Sequence, residues 1–501
     1  MYISCRVLAA IAVSISLAYT GLIEALPTGL VTCLQSIQGG SSSYIHTPSS
    51  SMYNNDRLVF NNIYDNKPSA IFHPGSEADA AAAIVCAAAH SVSVVPRSGG
   101  HSFEGYSGGG KDGSLVIDLN LFQQFAIDHN TGIATVGAGT RLGPLYTRLW
   151  NAGEYLVPAG TCPSVGIGGH ALGGGMGMVG RKYGMLSDNI VGLTMIDANG
   201  DIREVNATSK PDLFWALRGA GGGSFGLVTA FRIQAYKAPA TVTTVVATYP
   251  WSMHRVVMKV FGTWAKTTTD DLTPMLYINQ DTVLIMGTFL GSHDKAKAAL
   301  EPLFALTGLP EHSAFNEGTW YDAAAKWAEI EGTGLENPIT EHSHSSRARS
   351  LLYRQPISES EITTISRYLN STPYNPNSQV SSSVIFEIWG GQIDNTSSPS
   401  VFDSHRGVLY SVQYGVTWST PNSELGFTCT TCMDWSARFA KELQAAYSSG
   451  PTLEAYQNYI ERDIPNGLQA YYGDNLPRLI DIKKSIDPCN TFTFPQAIPL
   501  K

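Results

Sequence analysis

The 501 residues carry little charge, and less of it positive than negative: Lys and Arg total 32, Asp and Glu 41, for a net charge of −9. No stretch gathers Lys and Arg into a patch, so a nucleic-acid backbone finds no electrostatic footing. Long apolar runs are missing too. The longest, Val7 to Ala18, follows Arg6 and precedes small residues, the pattern of a secretory signal rather than of a membrane span. Residues 1–25 are therefore read as a signal peptide cleaved between Ala18 and Ala25, giving a secreted, extracellular protein with no membrane partner. No G-x-G-x-x-G sits at a strand–helix junction, which argues against a Rossmann fold. Cysteine is sparse, with seven in all, and removal of the signal takes Cys5. The Cys429-Thr-Thr-Cys432 pair has no second pair to complete a zinc site, so no metal is expected.

What is present is a soluble globular composition, 43% hydrophobic, with mean hydropathy near zero. The length exceeds what one hydrophobic core serves, so two domains are expected. The richest stretch is Gly160-Thr-Cys162-Pro-Ser-Val-Gly166-Ile-Gly168-Gly169-His170-Ala-Leu-Gly173-Gly174-Gly175-Met-Gly177, with eight glycines around one cysteine. Residues without Cβ let the backbone come close to a bound group, and bared N–H groups suit a diphosphate. Val165, Ile167, Ala171, Leu172 and Met176 interleave with the glycines, so the run is packed and not a linker. About sixty residues earlier the apolar run Val92 to Val95 feeds into Pro96-Arg97-Ser98-Gly99-Gly100-His101-Ser102-Phe103.

Around these loops the chain reads as short α+β units. Glycine- and serine-rich residues from Gly39 to Ser51 read as an extended surface stretch. Ala70 to His73, Val92 to Val95, Leu115 to Leu119 and Ile133 to Gly139 read as strands, and Glu77 to His90 and Gly143 to Ala152 as helices. Ile190 to Ile196 with the turn Ala198-Asn-Gly-Asp201 gives a hairpin. Leu213 to Gly226 is a short helix meeting a third glycine loop, and Val228 to Ile233 closes the first domain. After Ala238-Pro239 the character changes. Thr241 to Tyr249, Leu284 to Leu290 and Val384 to Trp389 alternate as half-exposed strands, and Ser292 to Leu306 and Glu359 to Leu369 read as helices. Near Gly450-Pro451 the chain turns back.

The two linked motifs, R-S-G-G-H and G-x-C-P-x-V-G, resemble those of the berberine-bridge-enzyme-like FAD-linked oxidases of the vanillyl-alcohol oxidase superfamily. The likeness is nearest to the fungal glucooligosaccharide and chitooligosaccharide oxidases, and it runs from about Cys33 to the C-terminus. It implies an α+β, two-domain FAD-binding fold with an antiparallel-sheet substrate domain. The expected divisions are an FAD-binding domain over 26–236, a substrate domain over 237–450, and a segment over 451–501 that returns to the FAD domain. It implies FAD bound covalently at two points, His101 to the flavin 8α carbon and Cys162 to C6. Arg97, Ser98, Gly99, Gly100, Ser102, Gly166, Gly169, His170, Gly173, Gly174, Gly175, Val228 and Asn475 complete the cofactor set, with Tyr459. It also implies a Cys33–Cys86 disulfide. Cys429, Cys432 and Cys489 remain, an odd number, with their pairing open.

The family's Y-x-N-Y motif falls on Tyr456-Gln-Asn-Tyr459, which gives Tyr459 the place of the catalytic tyrosinate. A phenol titrates near 10, so it needs an acidic partner to act as base at neutral pH. Glu387 is the candidate partner and Asp394 the alternative. Gln413 and Trp389 are candidates to bond or stack on a substrate ring, as is Phe103, which stands where sugar oxidases carry tyrosine. The implied reaction is oxidation of the anomeric C1 hydroxyl of an oligosaccharide to a lactone, with O2 reduced to H2O2. The alternative keeps the flavin and takes a secondary metabolite instead. Joint presence of His101, Cys162 and Tyr459 argues against a merely carbohydrate-binding protein. A small molecule or oligosaccharide and O2 are the expected partners of a monomer, glycosylated at the sequons of Asn206, Asn370 and Asn395.

Overall fold

A computed structural model describes residues 28–37, 43–330, 332–338, 344–373, 379–395, 399–419 and 426–501. The signal-peptide reading lies outside them. No described helix is long and apolar enough to cross a membrane. Helices mix with four sheets. In the first sheet, Ala70–His73 and Val94–Arg97 both run parallel to Leu115–Asp118 between them. Tyr44–His46 adds an antiparallel edge, so part of the serine-rich stretch is a strand, because its backbone finds a partner in Ala70–His73. The second sheet is antiparallel, in the order Phe125–Asp128, Ile133–Gly137, Leu227–Gln234, Ile190–Ile196, Ile202–Val205. Its last two strands are the expected hairpin.

The helix Glu77–Ala89 starts where Ser76 accepts the N–H of Asp79, a side-chain cap worth about 1 kcal/mol. It presents Ala80, Ala83, Ile84 and Ala87 to the core and is tied to the helix Thr28–Ile37 by the Cys33–Cys86 disulfide. Cys429 and Cys432 also join, at the start of the helix Thr430–Ala446.

The large sheet holds seven antiparallel strands, in the order His312–Gly318, Val242–Tyr249, Val283–Phe289, Leu272–Asn279, Val380–Ile388, Tyr410–Ser419, His344–Tyr353. One face packs on helices His254–Ala265, His293–Thr307, Glu359–Leu369 and Thr430–Ala446, which bury Phe261, Leu300, Ile365 and Phe439. Ser358 and Glu361 form a reciprocal capping box at the start of Glu359–Leu369. The helix Trp320–Ile330 departs from this layer: Trp320, Ala323 and Ala328 pack into the first core.

The C-terminal stretch returns to the first core. Val94 bridges to Phe492, and its N–H donates to Thr491 O. Lys483, fully buried, donates to Ser224 O at 2.6 Å and Phe492 O at 2.7 Å while pairing with Asp487 at 2.7 Å.

Candidate active site

Two glycine loops meet back to back. A Cβ on Gly99 would lie 2.2 Å from Gly166 N, and one on Gly166 would lie 2.1 Å from Gly99 N. Real Cβ atoms do not come so close, so both positions need hydrogen there. Ser98 ties the crossing by donating to Ala138 O at 2.6 Å and accepting from Gly168 N at 3.3 Å. Arg97 is buried under the loop, paired with Asp118 and, at 2.7 Å, with Asp56. The two carboxylates raise the Arg97 pKa against the lowering effect of burial.

The crossing opens onto a cavity of about 990 Å³. His101 and Cys162 line it with Ser98, Gly99, Gly100, Ser102, Gly166, Gly169 and Val228. Phe60 stacks on the His101 ring at 4.5 Å. Ser164 Oγ lies 2.9 Å from His101 Nε2 and 3.4 Å from Cys162 Sγ. His170 Nε2 accepts from Gly160 N at 3.0 Å, and burial lowers its pKa to about 4, so the ring is neutral at physiological pH. The third glycine loop also faces the cavity, through Gly221, Gly222, Gly223 and Gly226.

The far wall is the large sheet's open face. Alternation along Val380–Ile388 sends Val384, Phe386 and Ile388 into the second core and turns Ile385 and Glu387 to the cavity. Strand register then sets two rows across the sheet. Met286, Met275, Glu387 and Ser411 form one; Leu284, Tyr277, Ile385 and Gln413 form the other. Tyr459 donates to Glu387 Oε1 at 2.7 Å, and Ser411, paired with Glu387 in register, donates to Oε2 at 2.9 Å. Burial raises the Glu387 pKa, and these two hydrogen bonds pull it back. Phe103 stacks on Tyr459 at 5.5 Å, 6° from parallel.

Several expected site residues stand elsewhere. Trp389 has parity with Glu387, but its strand ends at Ile388, and Gly390 and Gly391, at φ of 88° and 59°, turn the chain. The indole is fully buried against Phe402 and Tyr456, out of a substrate's reach. Asp394 accepts from Gly407 N at 2.7 Å on an exposed turn away from the cavity lining. Asn475 donates to Val401 O at 2.9 Å and does not line the cavity.

Gly173, Gly174 and Gly175 are likewise off the lining. A Cβ on Gly173 would strike Asn458 Oδ1 at 2.0 Å, and the Gly175 and Met176 N–H groups donate to Tyr456 Oη. These glycines seat the Y-x-N-Y segment, and the Gly175 N–H is spent on Tyr456. Arg97 acts through its ion pairs beneath the loop rather than at the lining.

Sequence reasoning misses Ser164, Ser411, Phe60 and the wall residues Met275, Tyr277, Leu284 and Met286. Ser164 is visible in the cysteine loop, though its partners are not. The rest are ordinary strand and loop residues until register and packing place them.

Residues 68–206 match the FAD binding domain family, and residues 455–499 match the family described as berberine and berberine like. A xylooligosaccharide oxidase of Thermothelomyces thermophilus is 30% identical over 90% of this chain and 90% of its own. The structure of Physcomitrella patens BBE-like 1 superposes with a TM-score of 0.85 at 34% identity, covering 95% of this chain and 100% of that one. A glucooligosaccharide oxidase from Acremonium strictum, whose FAD is 6-S-cysteinyl and 8α-N1-histidyl, gives 0.84 at 26% identity over 94% and 99%. These neighbours share the vanillyl-alcohol-oxidase type of FAD-binding fold.

Proposed function

Because this chain belongs to the berberine-bridge-enzyme-like family of FAD-linked oxidases, we propose that it oxidises a C–OH group with FAD joined to both His101 and Cys162. Both side chains face one cavity whose volume suits a large cofactor together with a substrate. Positions Gly100 and Gly169 leave open space where Cβ atoms would stand, which fits a flat group lying against backbone. The flavin, when bound, supplies the hydride acceptor and the route to oxygen.

The protein supplies position and base. Tyr459, held parallel to Phe103, takes the proton of the substrate hydroxyl and gives its own to Glu387. Ser411 keeps the receiving carboxylate in place through its second oxygen. The observation that carries this reading is the 2.7 Å hydrogen bond from Tyr459 to Glu387 on the wall of the cavity that holds His101 and Cys162.

The substrate we propose first is the reducing end of an oligosaccharide, oxidised at C1 to a lactone outside the cell by a monomeric enzyme, with O2 leaving as H2O2. Support comes from the oligosaccharide oxidases among its relatives. One observation favours the second reading, a secondary-metabolite alcohol with an apolar body. The wall beside Glu387 is built mainly of Met275, Tyr277, Leu284, Met286 and Ile385, Phe60 and Phe103 line the same cavity, and among the described residues the polar groups on the sheet side are few, including Thr273, the Tyr277 hydroxyl, Gln413 and Thr417. Sugar hydroxyls buried without partners cost about 1–3 kcal/mol each.

Anaerobic bleaching of the flavin by a panel of xylo-, cello- and chito-oligosaccharides and of aryl and terpenoid alcohols separates the two. For the cofactor, acid-precipitated protein should stay yellow, and His101→Ala or Cys162→Ala alone should leave the flavin attached. Release of all flavin from the native protein by acid would refute the double bond.

A further inference from the structure

The two residues that take the flavin share one hydroxyl. Ser164 Oγ is 2.9 Å from His101 Nε2 and 3.4 Å from Cys162 Sγ, and the serine is 4% exposed. Its carbonyl is gripped by Arg141, and its neighbour Val165 is pinned by Leu142 N donating to Val165 O at 2.9 Å. Backbone and side chain are thus fixed from both sides, while Phe60 fixes the plane of the imidazole. Arg141 is also near enough for its cation to interact with Cys162.

We propose that Ser164 is the positioning residue for flavin attachment, its hydroxyl bridging His101 and Cys162, deciding which imidazole nitrogen attacks and steadying the Cys162 thiolate. This rests on the bicovalent reading above. An imidazole that donates its Nε2 hydrogen to Ser164 carries its lone pair on Nδ1, so Nδ1 is the atom presented to the 8α carbon. Attachment forms an N–C bond in place of one 8α C–H bond. The ring then gives up its Nε2 proton, and Ser164 stands on that proton's path. The proton from carbon and the proton from nitrogen leave together with two electrons, which O2 carries off as H2O2. At Cys162 an S–C bond replaces the C–H at flavin C6 and the S–H, and a second O2 leaves as H2O2. The thiolate is the attacking form: the thiol proton leaves to solvent, and the Ser164 hydroxyl, accepting from His101, donates to the sulfur and steadies the anion, with Arg141 adding charge.

The experiment uses freshly expressed holoprotein of the native sequence, S164A and S164T. Flavin surviving acid precipitation is measured with time and pH, and the His101 and Cys162 peptides are read by mass. S164A should keep folded, FAD-binding protein yet attach flavin roughly 10- to 100-fold more slowly, the worth of a positioned proton-transfer group at the lower end of its range. Its residual attachment should move to higher pH, and S164T, which keeps the hydroxyl, should restore the native rate. In a His101→Ala background S164A should still slow the Cys162 bond, since Ser164 touches both residues.

Native-rate formation of both bonds in S164A overturns the proposal, as does S164T failing like S164A. If S164A loses FAD outright, S164T decides alone: prompt attachment supports the shared hydroxyl and its failure refutes it. Absence of acid-stable flavin from the native protein would instead sink the bicovalent reading.

Discussion

Replacement of Tyr459 by Phe isolates one oxygen. The ring keeps its stack on Phe103 at 5.5 Å and its edge contact with Tyr456 at 5.1 Å, so packing is little changed. What goes is the hydroxyl that donates to Glu387 Oε1 at 2.7 Å. Two effects add. The substrate proton loses its acceptor, which for a positioned general base is worth about 10²–10⁴ in rate. That range equals about 3–5 kcal/mol of barrier at 1.36 kcal/mol per decade. Glu387 also loses one of the two hydrogen bonds that hold its pKa down against burial, so it protonates more readily.

Stability should fall by only about 1–3 kcal/mol, the cost of an unmet hydrogen bond beside a buried acceptor. The assay is anaerobic stopped flow, with flavin bleaching by an alcohol that reduces the native enzyme. It reads this step apart from reaction with oxygen. A Tyr459→Phe enzyme that bleaches at the native rate, with full flavin content, would remove the tyrosine from proton transfer and leave Glu387 to act on the substrate directly.

Glu387→Gln should slow bleaching by about 10–10²-fold, less than Tyr459→Phe, and move the rate profile to higher pH, because the phenol must then ionise into solvent. Burial raises the Glu387 pKa above its unfolded value, so its stability contribution is present at low pH and lost as pH rises through the folded value. Denaturant titrations of Glu387→Gln at pH 4 and pH 8 should therefore differ less than those of the native protein. Gly99→Ala puts a methyl 2.2 Å from Gly166 N and should cost about 1–3 kcal/mol in thermal unfolding as well as flavin content; a fully loaded, equally stable variant would refute the back-to-back crossing. Removing the Cys33–Cys86 bond by a double Ser replacement opens a loop of sequence separation 53 and should cost about 2–4 kcal/mol in denaturant unfolding, against none if the pair is reduced in the purified protein.

Features that are local in the chain are legible in the sequence by itself. His101 and Cys162 stand in glycine loops a few residues long, and strand and helix periodicity marks most of the first domain to within a residue or two. Glu387 emerges only through the family resemblance, and alternation along its strand is what turns its side chain to the cavity. Ser411 does not, because its meeting with Glu387 depends on the register between two strands more than twenty residues apart. Trp389 misleads because alternation does not carry one residue past the strand's end, where two left-handed glycines redirect the chain. Gly173 to Gly175 mislead because a glycine signals close approach without saying by what: here Asn458 and Tyr456 approach, from nearly three hundred residues away. The strands Leu272–Asn279, Tyr410–Ser419 and His344–Tyr353 escape a sequence reading, since proline, glycine or buried charge interrupts their alternation.

The order in which a ribosome makes the chain gives the C-terminal return a meaning of its own. Strand Val94–Arg97 and the first glycine loop emerge early, yet Val94 waits for Thr491 and Phe492 to complete its edge, and the Gly175 and Met176 N–H groups wait for Tyr456. Tyr459 belongs to the same late stretch. A nascent chain that has not reached this stretch therefore holds His101 and Cys162 without Tyr459 and without the partners that close the edge at Val94 and meet Gly175.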